Sequence, residues 1–264
     1  TAYEIPKRDW SSDVCSSDLP AVDAATWSLK VDGSAGRPLT FTLDDIKRRS
    51  RVDKTVTFEC GGNREGVMNR MFSTVTWTGT PLKTILEEAR PGRDVLEAVF
   101  WGADEGEETI RNNKYTMNFA RSMSLEDALN ADAIIAYEAD GQPLPRVHGF
   151  PARLIVPGWY GVSNVKWLTR IELSPRRFMG RFMGRDYVTI MGRQVGDKVQ
   201  YIETSVTRIQ VKSVIARVLR PGGGNNSMTV QGMAVSDGTP IQRVEVQVDG
   251  GAWQPAKLEA NTNP

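Results

Sequence analysis

The stretch AYEADGQPLPRVHGFPARLIVPGWYGVSNVKWLTRIEL, residues 136–173, holds the clearest pattern of short strands and turns in the chain. Its first residues end an apolar run at Asp140-Gly141, a dipeptide typical of a tight turn between strands. Two more apolar β-type segments, ARLIV and VKWLTRIEL, lie on either side of a Pro-Gly break at 157–158. This stretch therefore predicts short strands joined by turns, without long helices between them.

The sequence before this stretch adds short helices to the predicted strands. TWSLKVDG, KTVTFEC and VLEAVFWGAD have β-type composition or alternation. TLDDIKRRS, TPLKTILEEA and SLEDALNA have helical spacing, and Thr42 and Ser124 are the predicted N-caps of the first and third. Strands and helices alternate without a regular β-α-β rhythm, so the predicted fold class is α+β with mixed sheets.

The last part of the chain differs from the rest in its sequence pattern. After about Thr204 it holds four or five strand-like stretches separated by Gly, Asn and Asp turns, which is typical of a β-sandwich. A complete sandwich needs roughly 100 residues, so a partial one with open strand edges is expected, and it should aggregate. We predict a catalytic domain over 21–203 and a partial sandwich over 204–264.

The first 20 residues do not have the pattern of folded protein. SSDVCSSDLP, residues 11–20, repeats Ser-Ser-Asp and resembles the translation of a sequencing adapter. We interpret 1–20 as an artefactual or disordered N-terminus; the alternative is a disordered Ser/Asp linker. Cys15 is accordingly assigned no chemical role.

Composition excludes several classes of function. The formal net charge is +1, which gives no reason to expect nucleic acid or an anionic membrane as a partner. No apolar run reaches the roughly 20 residues of a membrane span, and no signal peptide is visible. With one histidine, His148, and no C-x-x-C-H motif, no haem is expected in this chain.

Three segments together resemble the molybdopterin-dependent sulfite oxidase family: FECGGNR (58–64), residues 136–173 and GRDYVTI (184–190). The resemblance covers about 21–197, and the tail resembles the immunoglobulin-like dimerisation domain of that family. It implies a molybdenum-molybdopterin cofactor and oxygen-atom transfer that converts sulfite to sulfate. It also implies a separate electron acceptor such as a cytochrome, a homodimer when full length, and a periplasmic location.

The resemblance implies a set of site residues. Cys60 would bind molybdenum through its thiolate, a soft ligand suited to a transition metal; the alternative is a small buried hydrophobe. Arg64 would face the anionic substrate, and Tyr187, with Asp186 beside it, would assist proton movement; an ordinary strand tyrosine is the alternative. The expected cofactor contacts besides Cys60 are Asn63, Asp104, His148, Arg153, Ser163, Asn164 and Lys166. For His148 and Arg153 the alternatives are a structural histidine and a surface salt bridge.

The chain also departs from the family pattern. Glu65 stands where sulfite oxidases have a second, substrate-binding arginine, and the loop after Cys60 is short. Another oxo-donor or acceptor, such as nitrate or a sulfoxide, is therefore an alternative substrate. A cofactor-free, non-enzymatic β-rich binding module is the remaining alternative. Arg177, Arg181 and Arg185, four residues apart, are interpreted as a solvated face.

Overall fold

A computed structural model of the chain describes residues 19–62, 72–220 and 228–259. Its strands are β1 Ser28–Gly33, β2 Leu39–Thr42, β3 Val52–Glu59, β4 Phe72–Pro81, β5 Glu97–Ile110, β6 Asn113–Ser124, β7 Ile134–Ala139, β8 Gln142–Pro143, β9 Arg153–Ile155, β10 Leu168–Ser174, β11 Val188–Val195, β12 Lys198–Ser205, β13 Lys212–Leu219, β14 Thr229–Val235, β15 Glu245–Val246 and β16 Gln254–Pro255. Its helices are α1 Leu43–Lys47, α2 Leu82–Ala89, α3 Leu125–Asn130 and α4 Arg181–Gly184, with 3-10 turns at Arg146–His148 and Gly161–Ser163.

Two five-stranded sheets form the N-terminal two thirds of the described chain. The first has the order β2-β1-β10-β5-β6, and the second has β3-β4-β7-β8 with β9 paired to β7. The pairing of β1 with β10 is parallel and the other pairings in these sheets are antiparallel. The prediction of an α+β fold with mixed sheets is confirmed.

The core lies between these sheets and the short helices. In β1 the buried Leu29 and Val31 alternate with outward residues, as the two-residue period of a strand requires. The apolar stripe of α2 is wholly buried, and its members are Leu82, Ile85, Leu86 and Ala89. These side chains and those of the first sheet belong to one buried hydrophobic cluster.

The predicted helix caps form as the sequence indicated. The Thr42 side chain accepts a hydrogen bond from the backbone N–H of Asp45, and the Asp45 carboxylate accepts one from the Thr42 N–H. Ser124 caps α3 by accepting from the Asp127 N–H. Both caps fix where a strand ends and the following helix begins, because they satisfy N–H groups that have no partner within the helix.

The part of the chain after β10, called the C-terminal part below, is β-rich. Its described residues form three two-stranded antiparallel sheets, which pair β11 with β12, β13 with β14, and β15 with β16. The last two sheets lie in the tail after Thr204 that was predicted to consist of strands. The linker before β13 joins it to the rest: a bridge pairs Trp159 with Arg208, and the Ile209 N–H donates to the Gly158 carbonyl at 2.9 Å. The immunoglobulin-like sandwich and the domain boundaries remain predictions.

Among the described residues, no helix is long and apolar enough to cross a membrane.

Candidate active site

Cys60 lies immediately after β3, at the start of a two-glycine turn. It is half-buried, and its Sγ accepts a hydrogen bond from the Gly62 N–H at 3.4 Å. A backbone N–H directed at sulfur favours the thiolate over the thiol, which is the form that binds metal. Asn63, Arg64 and Glu65 lie outside the described residues, so their predicted roles remain predictions.

The structure brings Tyr187 to this turn. A Cβ placed on Gly61 would lie 3.2 Å from Cδ1 of the Tyr187 ring and 3.6 Å from the Val206 side chain. Tyr187 is buried, its ring is 6.3 Å from that of Phe182, and its carbonyl accepts from the Val206 N–H at 2.8 Å. Glycine at position 61 therefore allows the thiol-bearing turn to approach the tyrosine ring closely.

Asp186, which precedes Tyr187, faces a cluster of charged side chains. Its exposed carboxylate pairs with Arg181, and Arg185 lies 3.5 Å from it. Arg181 also pairs with Glu108 and is only 17% exposed. The interpretation of the arginine triplet as a solvated face is thus wrong for Arg181, because Glu108 on β5 draws this guanidinium inward.

Arg121 on β6 is a functional candidate that the sequence analysis missed. Its side chain is 1% exposed, and its guanidinium donates to the carbonyls of Phe182 and Val206 and to Ser163 Oγ at 3.5 Å. Burial lowers the pKa of Arg121 to about 10, so it keeps its charge at neutral pH. Phe182 and Val206 both contact Tyr187. Arg121 therefore fixes the two residues against which the tyrosine packs. The sequence feature that could have indicated Arg121 is an arginine within the strand-like segment FARSM, residues 119–123.

Asp104 on β5 is a buried carboxyl group. Its Oδ1 has no hydrogen-bond partner, and burial raises the pKa of Asp104 to about 6 against the opposing effect of Lys166. A Cβ on Gly102 would meet this oxygen at 2.1 Å and the Lys166 carbonyl at 2.9 Å. Asp104 and Lys166, far apart in sequence, therefore lie together at one position.

Arg153, at the start of β9, meets His148 in the loop that connects β8 to β9. Arg153 is buried, and its two Nη atoms donate to the carbonyls of His148 at 3.0 Å and Asn164 at 2.9 Å. Its guanidinium lies 4.8 Å from the Trp77 ring centroid, and burial lowers the pKa of Arg153 to about 9. The surface salt bridge alternative for Arg153 is excluded by this burial. His148 is exposed, and partial burial and the charges of Arg153 and Lys166 lower its pKa.

Ser163, Asn164 and Lys166 shape the neighbouring loop. The Asn164 Oδ1 accepts from the Val156 N–H at 2.6 Å, while Nδ2 donates to the Tyr160 carbonyl at 3.1 Å. The Asn164 side chain thus connects Val156 and Tyr160 and closes the loop that runs from Val156 to Asn164. Lys166 Nζ donates to the Val147 carbonyl at 3.2 Å and lies 4.4 Å from the Trp167 ring centroid.

The predicted site residues among the described part of the chain fall into two groups. Cys60 and Tyr187 form one, and Asp104, His148, Arg153, Asn164 and Lys166 form the other. The Ser163 hydroxyl accepts a hydrogen bond from Arg121, and Asp186 pairs with the charged cluster instead.

These groups fit a molybdopterin cofactor. The Oδ1 of Asp104, which has no partner, can accept hydrogen bonds from the N–H groups of a pterin ring. The buried Nε–H of Arg153 has no acceptor and can donate a hydrogen bond to the cofactor. Lys166 and His148 add positive or polar groups beside them, as a phosphate requires. One thiol together with these polar groups fits the class of protein that the resemblance implies: oxidoreductases that hold a transition metal on a pterin cofactor.

Comparison with known proteins narrows this class to a family. The chain belongs to the oxidoreductase molybdopterin binding domain family, whose sequence model matches residues 16–182, more than half of its 264 residues. Human mitochondrial sulfite oxidase is 33% identical over 262 residues, covering 91% of this chain and 47% of that protein. Barley nitrate reductase [NAD(P)H] is 31% identical over 295 residues, covering 98% of this chain and 31% of that protein.

A solved structure supports the same assignment. The crystal structure of the sulfane dehydrogenase SoxCD from Paracoccus pantotrophus superimposes with a TM-score of 0.71 at 26% identity, covering 93% of this chain and 62% of that one. The chain spans about half the length of the sulfite oxidases from animals that it matches.

Proposed function

We propose that this chain catalyses oxygen-atom transfer on a molybdenum-molybdopterin cofactor, converting sulfite to sulfate and passing electrons to a separate acceptor. The observation that carries the proposal is the close approach of the Tyr187 ring to Gly61, the residue that follows Cys60 at the end of β3. Family membership and the likeness to sulfite oxidases support the choice of cofactor and substrate.

Different residues of the chain would bind the metal and the pterin. Cys60 would hold the metal, and Asp104, Arg153, His148 and Lys166 would hold the pterin. When bound, the cofactor supplies the two-electron oxygen-atom transfer. The protein contributes orientation and charge around it.

Tyr187 would act on the substrate side. A phenol can donate a hydrogen bond to an oxyanion and can pass a proton while electrons leave the site. Arg121 holds the carbonyls of Phe182 and Val206 and thereby fixes the position of the ring. Its buried charge also favours anions nearby, because the local dielectric is low.

The test combines metal analysis with turnover. Purified protein should contain about one molybdenum per chain and should reduce cytochrome c or ferricyanide in the presence of sulfite. Cys60→Ser should lose most of the metal and the turnover. Metal-loaded protein without sulfite turnover would refute the substrate, and protein that never takes up molybdenum would favour the cofactor-free alternative.

Nitrate is the second candidate substrate. Barley nitrate reductase aligns with nearly the whole chain, and Glu65 replaces an arginine that sulfite oxidases use. Exchange of a cationic side chain for a carboxylate disfavours a doubly charged anion more than a singly charged one. Nitrate reduction with a reduced viologen as electron donor, at a kcat/KM above that for sulfite oxidation, would show that nitrate is the preferred substrate.

The partners and location extend the same proposal. We propose a cytochrome as the acceptor, a homodimer for the full-length protein and a periplasmic site of action. Exposed apolar side chains on β11 to β14, such as Ile190, Tyr201 and Ile215, support an association surface in the C-terminal part. A sedimentation experiment on the full-length protein that gives only monomer would refute the dimer.

A further inference from the structure

The Arg153 guanidinium group joins two turns that carry expected cofactor contacts. One Nη atom donates to the His148 carbonyl, in the 3-10 turn Arg146–His148, at 3.0 Å. The other Nη atom donates to the Asn164 carbonyl, directly after the 3-10 turn Gly161–Ser163, at 2.9 Å. The relative position of the two turns therefore depends on where this guanidinium group lies.

Trp77 on β4 packs against the same guanidinium group. Arg153 pairs with Ala136 in the ladder between β9 and β7, and Ala136 and Trp77 belong to one buried cluster on a face of the second sheet. Arg153 Cζ lies over the Trp77 ring, 4.8 Å from its centroid, which is within the range of a cation–π interaction. The tryptophan is 3% exposed and the arginine 7%. Water is thus excluded from this contact, and a cation–π contact is strongest when it is desolvated.

The ring matters because Arg153 carries its charge in the interior. Among the described residues its partners are two neutral carbonyl groups and the Trp77 ring, and none is a carboxylate. A buried cation that loses part of this compensation is strongly disfavoured. Without the ring, the guanidinium group would move towards water, and the two turns would lose the bridge between them.

Trp77 acts on Arg153 through the face of its ring and not through its N–H. The indole Nε1 is buried and has no hydrogen-bond partner. Phenylalanine at position 77 would keep an aromatic face and remove this unpaired donor, so it separates the two features of the side chain. The Nε–H of Arg153 has no acceptor either, and a guanidinium group held on the ring keeps the direction in which this N–H can donate.

We propose that Trp77 is a positioning residue of the pterin site: its ring holds the Arg153 guanidinium group, which in turn holds the turns that carry His148 and Asn164. This inference rests on the proposed function, since it takes these turns as the place where the pterin binds. Trp77 is not among the site residues that the family resemblance implied.

The test measures two properties of the whole chain. Amide hydrogen exchange of the cofactor-free protein over 146–150 and 161–166 reports how firmly the two turns are held. Pterin per chain after dialysis of the cofactor-loaded protein, measured by the fluorescence of the oxidised pterin, reports cofactor retention. Urea midpoints are recorded alongside.

The variants separate the ring face from packing. They are Trp77→Leu, Trp77→Phe, Arg153→Met and the double variant of Trp77→Leu with Arg153→Met. Val56→Ala is the matched control, because it removes buried volume from the same cluster and leaves both the ring and the guanidinium group in place.

The expected pattern follows from the ring acting through the arginine. Trp77→Leu should exchange about tenfold faster in both segments and should retain several times less pterin, as expected from the loss of a desolvated cation–π contact. Trp77→Phe should stay within about threefold of wild type in both properties, because a phenyl ring keeps most of the attraction. Arg153→Met should show faster exchange in both segments, and the double variant should be no worse than Arg153→Met alone. Val56→Ala should lower the urea midpoint and match wild type in exchange and pterin content.

Four results would overturn the inference. The first is wild-type exchange and pterin retention in Trp77→Leu, and the second is an equal loss in Trp77→Phe and Trp77→Leu, which would show that packing alone matters. The third is a double variant in which the two single effects add in full. The fourth is wild-type exchange in Arg153→Met, which decides the question even where Trp77→Leu does not fold. If the wild-type chain holds no pterin, the proposed function fails, while hydrogen exchange of the cofactor-free variants still decides whether Trp77 and Arg153 hold the two turns.

Discussion

Replacing Asp104 by asparagine should stabilise the cofactor-free protein at neutral pH and weaken cofactor binding. Burial raises the pKa of this carboxyl group from 3.8 to about 6, and its Oδ1 has no partner. Each pKa unit corresponds to about 1.4 kcal/mol, so ionising the buried group costs about 3 kcal/mol. This cost falls on the folded state only, because the unfolded chain exposes the carboxylate to water.

The direction in which folding stability changes with pH follows from the raised pKa of Asp104. Below about pH 3 the group is protonated in both states and carries no penalty. As the pH rises towards 6, the unfolded chain ionises first and the folded protein loses stability relative to it. Above the folded pKa, which is about 6, the full penalty is present. The advantage of Asp104→Asn should therefore grow from about pH 3 to pH 8 by about 3 kcal/mol, and other titrating groups cancel in the comparison.

Urea unfolding of the cofactor-free protein across this pH range measures the difference directly. Asp197→Asn, in the exposed turn between β11 and β12, is the matched control and should show no such growth. Pterin retained per chain in cofactor-loaded protein should fall in Asp104→Asn, because an amide presents one acceptor oxygen in place of two and no charge. A stability difference that stays constant with pH within about 0.5 kcal/mol would refute the argument.

Three further predictions concern the cap of α1, the buried arginine and the glycine turn. Thr42→Ala removes the hydrogen bond that the Thr42 hydroxyl accepts from the Asp45 N–H and should lower the free energy of unfolding by about 1 kcal/mol in urea titrations; an unchanged midpoint would contradict the role of the cap. Arg121→Met leaves buried carbonyls without their donor and should cost about 3 kcal/mol by the same assay, with a smaller loss in Arg121→Lys. Gly61→Ala puts a methyl group 3.2 Å from the Tyr187 ring and should lower kcat for sulfite while the molybdenum content is kept. A kcat of Gly61→Ala equal to that of the wild type would contradict close packing at position 61.

Local patterns in the sequence were sufficient for α1 to α3, for several strands and for the fold class, whereas β2, β4 and β6 were not predicted. Thr42 and Ser124 predict helix starts because a hydroxyl and a nearby acid satisfy N–H groups within one turn. The Asp140-Gly141 turn and the apolar runs of β7, β9 and β10 likewise depend only on neighbours in sequence. The C-G-G-N-R segment and the stretch 136–173 then indicated the family, which the family model confirmed.

The burial and partners of the charged side chains were decided by the tertiary structure. Glu59 and Lys212 are 153 positions apart, and Arg121 reaches the Val206 carbonyl across 85 positions. Nothing in their immediate sequence determines that they meet, because the sheets and the linker before β13 bring them together. The raised pKa of Asp104 has the same origin, since desolvation depends on what the whole fold packs around a carboxyl group. The sequence by itself thus determined which elements form and which family they belong to, and only the folded chain decided which charges are removed from water and held beside the thiol.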